Sequence, residues 1–112
     1  MTFLVLVTQA PDRSSVHRYV GELIEAIYQQ GHRVKAVFFT SVAAIFGTNT
    51  YNAEQVNKYL DLAQNYRFPL LICGRAFRKL GQQPQSLHAG FELSGNLELT
   101  VMLQECDKTV EF

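Results

Sequence analysis

The stretch from Thr2 to Phe39 constrains the fold most. Thr2 to Val7 is a continuous apolar run rich in β-branched residues, the pattern of a strand buried on both faces. Polar Thr8 to Arg13 reads as a loop, and Ser14 or Ser15 stands where a helix cap is expected. Val16, Val20, Leu23, Ile24 and Ile27 recur at three- and four-residue steps, which predicts an amphipathic helix ended by Gly31 as a left-handed C′ residue. Val34 to Phe39 returns to a strand. Strand, helix and strand at this spacing form a right-handed parallel βαβ unit, so the chain is expected to build an α/β sheet.

The remainder extends the pattern. Thr40 to Asn52 has too little periodicity for a regular element and reads as a loop with a helical turn. Val56, Tyr59, Leu60 and Ala63 predict a helix from Ala53 to Tyr66, and Pro69 leads into a third strand, Leu70-Leu71-Ile72, closed by Cys73-Gly74. A short helix from Arg75 to Leu80 is stopped by Gly81, and Gln82 to Gly90 carries no clear period. Ser94, Gly95 or Asn96 caps a last helix through Leu97, Val101 and Met102, before a strand from Thr109 to Phe112. The order predicts one three-layer α/β/α domain spanning residues 1–112, flavodoxin-like, with a mostly parallel sheet of about four to five strands. The simplest strand order is 2-1-3-4. Its topological switch point, where ligands gather at the carboxyl edge, then falls between strands one and three and includes Cys73.

Composition supports one core: of 112 residues 47% are hydrophobic and only 18% charged. Ten Lys and Arg balance ten Asp and Glu, which leaves no excess field to draw in nucleic acid or an anionic membrane. The opening run Phe3 to Val7 is shorter than a signal-peptide core and follows no basic residue, and no apolar run approaches the roughly 18 residues of a membrane span. A cytoplasmic location is expected. Cys73 and Cys106 lie far apart without a CxxC, which in a reducing compartment predicts free thiols.

Cys73 is the residue that can carry chemistry. Thiols act as nucleophiles when ionised, and a helix N-terminus favours the anion through unpaired N–H groups and the helix dipole. The N–H groups of Gly74, Arg75 and Ala76 are in position to hold a thiolate or a persulfide anion, Arg75 and Arg78 add positive charge, and Gly74 lets the backbone turn closely. The alternative is a small apolar residue finishing a buried strand, since free cysteine is among the most buried residue types. Cys106 precedes the last strand near the opposite edge and reads as a packed thiol. If the strands of the two cysteines are neighbours, their sulfurs lie roughly 17 Å apart, too far for a disulfide.

His17, His32 and His88 show no metal-ligand spacing. Asp12 and His17 flank the first strand-to-helix loop and are expected at the same edge as Cys73, as proton-transfer or docking residues or as solvated surface. That loop has no glycine and carries Asp12, which disfavours a phosphate, a nucleotide or a flavin. Phe38, Phe39, Ile45, Phe46, Phe91 and Leu93 lie in or near loops and are read in part as an association patch.

Five segments resemble the DsrE-like sulfurtransferases, and within them the TusD-type subunits of the sulfur-relay (TusBCD-type) complex. They are Phe3 to Thr8, Gly31 to Phe39, Leu71-Ile72-Cys73, Gly90-Phe91-Glu92-Leu93-Ser94-Gly95 and Cys106 to Phe112. The resemblance implies a carrier whose cysteine, matched by Cys73, accepts a sulfane sulfur as a persulfide and passes it to a partner's thiol, with no organic cofactor and no metal. It implies TusB- and TusC-like subunits in a heterohexamer, a TusA-like donor and a TusE-like (DsrC-like) acceptor, serving tRNA 2-thiouridine. Related subunits act in dissimilatory sulfur oxidation, and others supply only an interface. The chain is short around Ala10 to Ser15 and Ser41 to Asn52, which bears on which partners it meets.

Overall fold

The structure, a computed structural model, describes residues 1–49 and 54–112. The end of the loop expected up to Asn52, and the helix start expected at Ala53, lie outside the described residues. The chain forms β1 (Thr2–Val7), α1 (Ser14–Gln29), β2 (Arg33–Phe39), a 3-10 segment (Ser41–Gly47), α2 (Glu54–Tyr66), β3 (Leu70–Cys73), α3 (Gly74–Lys79), a 3-10 turn (Pro84–Ser86), β4 (Glu92–Ser94), α4 (Asn96–Glu105) and β5 (Lys108–Glu111).

These strands make one five-stranded sheet in the order β4-β3-β2-β1-β5, every neighbouring pair parallel. The expected order 2-1-3-4 is therefore corrected: β2 lies between β1 and β3, and a strand the periodicity did not show, β4, adds to the outer edge of β3. Successive crossovers from β1 to β4 move in one direction, so right-handedness sends α1, α2 and α3 to one face. The return from β4 to β5 passes behind the sheet and carries α4 to the other.

Two cores match this division. On the first face Val5, Val7, Val37, Phe39, Leu70 and Ile72 pack with Val20, Ile24 and Ile27 of α1, Val56, Tyr59 and Leu62 of α2, and Phe77 of α3. On the second, Leu4, Ala36, Phe38, Leu71 and Cys73 pack with Met102 of α4. Alternation along each strand sorts the side chains between the faces. Phe38, Phe39, Phe46 and Phe91 are core rather than an association patch, and of that group only Leu93 is exposed. The aromatic residues near loops are consumed by packing the carboxyl edge.

Local chemistry sets the helix ends. Gly31 has φ +81°, and the N–H groups of Gly31 and His32 donate to Tyr28 and Ile27 carbonyls at 3.1 and 2.9 Å, a Schellman closure of α1 as its glycine predicts. Gly81, at φ +82°, repeats the motif after α3. The N-cap of α1 is Arg13, with no side-chain capping bond, so neither Ser14 nor Ser15 caps it, and Gly95 takes that place for α4. Among the described residues no helix is long and apolar enough to cross a membrane.

Candidate functional site

A crevice opens in a parallel sheet where connections from two adjacent strands leave toward opposite faces. Here that happens between β3, followed by α3 on the first face, and β4, followed by α4 on the second. The register pairs Cys73 with Ser94 at the carboxyl ends of these two strands. Cys73 thus stands at the switch point, but between β3 and β4 rather than between strands one and three.

Cys73 is the N-cap residue of α3, and its side chain makes no capping hydrogen bond. The N–H groups of Gly74, Arg75 and Ala76 form the first turn, where an α-helix leaves its donors unpaired. The thiol faces the α4 side, 7% exposed, in contact with the cluster built on Phe38, Leu71 and Met102. Ser94 lies beside it on β4, and Thr40, extended and immediately after the end of β2, follows the register pair Phe39 and Ile72 by one residue as Cys73 does. Alternation turns both hydroxyl-bearing residues to the face of the thiol. Gly95 then begins α4, so two helix N-termini, one on each face, meet at the Cys73–Ser94 pair.

Arg75 is exposed on α3. Arg78 reaches back along the helix, its Nη1 4.0 Å from the point a Cβ on Gly74 would occupy, with the Ser94 carbonyl oxygen 3.5 Å from the same point. On the α4 side the Glu98 Oε2 lies 3.3 Å from the equivalent point on Gly95. A charge of each sign therefore borders the glycine that follows each member of the Cys73–Ser94 pair. The sequence does not mark Ser94 or Thr40 as site residues. Arg78 is marked there by its charge, and its four-residue spacing from Gly74 puts the two on one helix face.

Asp12 and His17 are not brought to Cys73. They follow β1, two strands from β3, roughly 10 Å across the sheet. Asp12 is exposed, as solvated surface would be, whereas His17 is buried at 4% exposure. Its Nε2–H donates to the Ala10 carbonyl at 2.7 Å, and its Nδ1 accepts from the Tyr59 hydroxyl at 2.9 Å, which defines the neutral tautomer. Burial holds its pKa below the ordinary value, outweighing the Ala10 and Gln9 backbone contacts and Asp12, which act the other way. The Phe46 ring meets it edge-on at 4.8 Å. His17 therefore ties the first loop to α2 and the 3-10 segment, a structural role.

Both cysteines are free. Cys106 precedes β5, three strand positions from β3, and packs against the α4-side core. Burial pushes its thiol pKa up, with Glu105 and Asp107 adding to the shift and Lys35 opposing it. Among the described residues no three His, Cys, Asp or Glu side chains are grouped so as to hold a metal ion.

The arrangement defines a single-domain parallel α/β protein with a thiol at its carboxyl-edge crevice. Residues 1–112 match the model of the DsrE/DsrF-like family, and the chain belongs to that family, which is associated in general with sulfur transfer. Its fold is similar to that of the ychN protein of E. coli, with TM-score 0.76, 20% identity and 100% of both chains covered. It is also similar to MTH1491 of Methanobacterium thermoautotrophicum, a protein of unknown function, with TM-score 0.78, 15% identity and 100% of both chains covered. No curated protein matches the sequence.

Proposed function

We propose that this chain is a sulfur carrier of the TusD type, loaded and unloaded at Cys73. The observation that carries the reading is the position of Cys73 at the N-cap of α3 within the β3–β4 crevice. Cys73 thiolate attacks the terminal sulfur of a donor protein's persulfide. A new S–S bond forms on Cys73, the donor's S–S bond breaks, and the donor leaves as a thiolate. The acceptor's thiolate then attacks the outer sulfur and Cys73 leaves as a thiolate. The sulfane sulfur keeps its oxidation state, so no external oxidant enters.

The first-turn N–H groups of Gly74, Arg75 and Ala76 supply partial positive charge for the persulfide anion, and Arg78 brings a full charge to the same turn. The family resemblance supports TusB- and TusC-like companions in a heterohexamer, a TusA-like donor and a TusE-like acceptor, with tRNA 2-thiouridine as the destination. The same transfer chemistry serves dissimilatory sulfur oxidation. Complementation tests the reading: Cys73→Ser should fail in a strain lacking the gene, and growth equal to that of the parent chain would refute it.

One observation favours a second reading, a subunit that supplies only an interface: Cys73 is 7% exposed. In that case native Cys73 alkylates slowly and denatured Cys73 quickly, within an assembly that still forms.

A further inference from the structure

Helix α4 is apolar on two sides. Leu99 and Met102 face the sheet, yet Leu97 is 77% and Val101 43% exposed on the outer side, one turn apart, with Leu103 at 44% on the flank. A surface helix normally turns charge outward, and one that is apolar all round is usually covered. The helix carries no Lys or Arg. Glu98 stands exposed on one edge of the outer stripe, Glu105 further along that edge forms an ion pair with Lys35 of β2 at 3.9 Å, and Glu92 is exposed on the adjoining strand. Leu97 follows Ser94, the register partner of Cys73, by three residues, so its Cα lies within about 11 Å of that of Ser94.

We propose that the outer face of α4 docks a segment of a partner protein bearing apolar side chains with lysine or arginine beside its reactive cysteine. The proposal rests on the carrier reading, for which it names the chemistry of the partner. Charge selects the occupant. A second copy packed two-fold and antiparallel about Leu97 and Val101 would bring Glu98 beside its own counterpart, like charges at a contact, whereas a basic segment is attracted to Glu98 and Glu92. Size agrees: three exposed apolar side chains are few against the roughly 20–30 residues a side of a permanent interface, and suit a partner that must leave after transfer.

The test is amide NMR of the full chain titrated with a synthetic peptide having leucine and lysine around a central serine. A peptide with glutamate in place of lysine is the control. The expected result is shifts confined to residues 92–104, with affinity at least tenfold weaker for the glutamate peptide and for the Leu97→Glu and Val101→Glu variants. Equal binding by both peptides, shifts elsewhere, or binding unchanged in both variants overturns the proposal. So does a fall in assembly mass on sedimentation of Leu97→Glu, which would mean that another copy covers the helix. The peptide has no thiol, so its binding is decided separately from sulfur uptake by Cys73, which tests the carrier reading.

Discussion

Cys73 and Ser94 are register partners at the carboxyl ends of β3 and β4, and the chain leaves them toward opposite faces of the sheet. That divergence makes the crevice, and it sets a thiol between the first turns of two helices. The strand β4 has only three residues, so its alignment depends on β3 and on what holds β3.

Gly47 is one such support. A Cβ there would stand 2.7 Å from Ile72 Cγ1 and 3.2 Å from Leu87 Cδ1, and Ile72, the residue before Cys73, is fully buried. Gly47→Ala is expected to destabilise the fold by about 1–3 kcal/mol, as overpacking does. Urea unfolding reads the change, and an unchanged midpoint would show that the 3-10 segment yields freely.

The buried His17–Tyr59 pair gives a prediction in pH. His17 is held neutral below its ordinary value of 6.5, so the unfolded chain takes up a proton that the folded chain does not. Its contribution to stability is complete above 6.5 and is lost as pH falls from there through the lower folded value. The denaturation midpoint should drop across that window, and drop less in His17→Gln. Tyr59→Phe, which leaves buried Nδ1 without its donor, should cost about 1–3 kcal/mol near neutral pH. A slope identical in the parent and in His17→Gln would remove His17 from the explanation.

Cys106 is expected to behave as a sluggish thiol. Burial raises its pKa, so less thiolate is present at neutral pH than for an exposed cysteine. In Cys73→Ser, alkylation of Cys106 by iodoacetamide should be several-fold slower than that of glutathione near pH 7 and accelerate on unfolding. Equal rates would contradict the packing described for it.

Met102 is the buried residue of α4, seated among Leu4, Phe38 and Leu71. Met102→Ala should cost about 2–4 kcal/mol and speed hydrogen exchange throughout α4 before α1. Uniform acceleration across both helices would mean that α4 does not open separately.

The βαβ start, the helix stops at Gly31 and Gly81, and the cysteine between a buried strand and a short helix are all legible in the sequence, because each depends on local period or on one residue's backbone preference. Strand order is not. The apolar stripe of α2 looks the same whichever face of the sheet it covers, so periodicity cannot distinguish 2-1-3-4 from the observed order. Glu92-Leu93-Ser94 is too short to display alternation and is recognised as a strand only by its pairing with Leu71, Ile72 and Cys73. The burial of His17 depends on Tyr59, 42 residues away, and no local pattern announces it. Cys73 and the charge of Arg78 beside it could be found, but the neighbours Ser94 and Thr40 became visible only with the register.

The most direct measurement is intact mass of the protein after incubation with a persulfide donor, with and without reductant, beside Cys73→Ser. Carriage of sulfur at Cys73 predicts a gain of one sulfur atom that reductant removes, present in the parent chain and absent from Cys73→Ser. No gain in the assembled protein, or the same gain in Cys73→Ser, would contradict it.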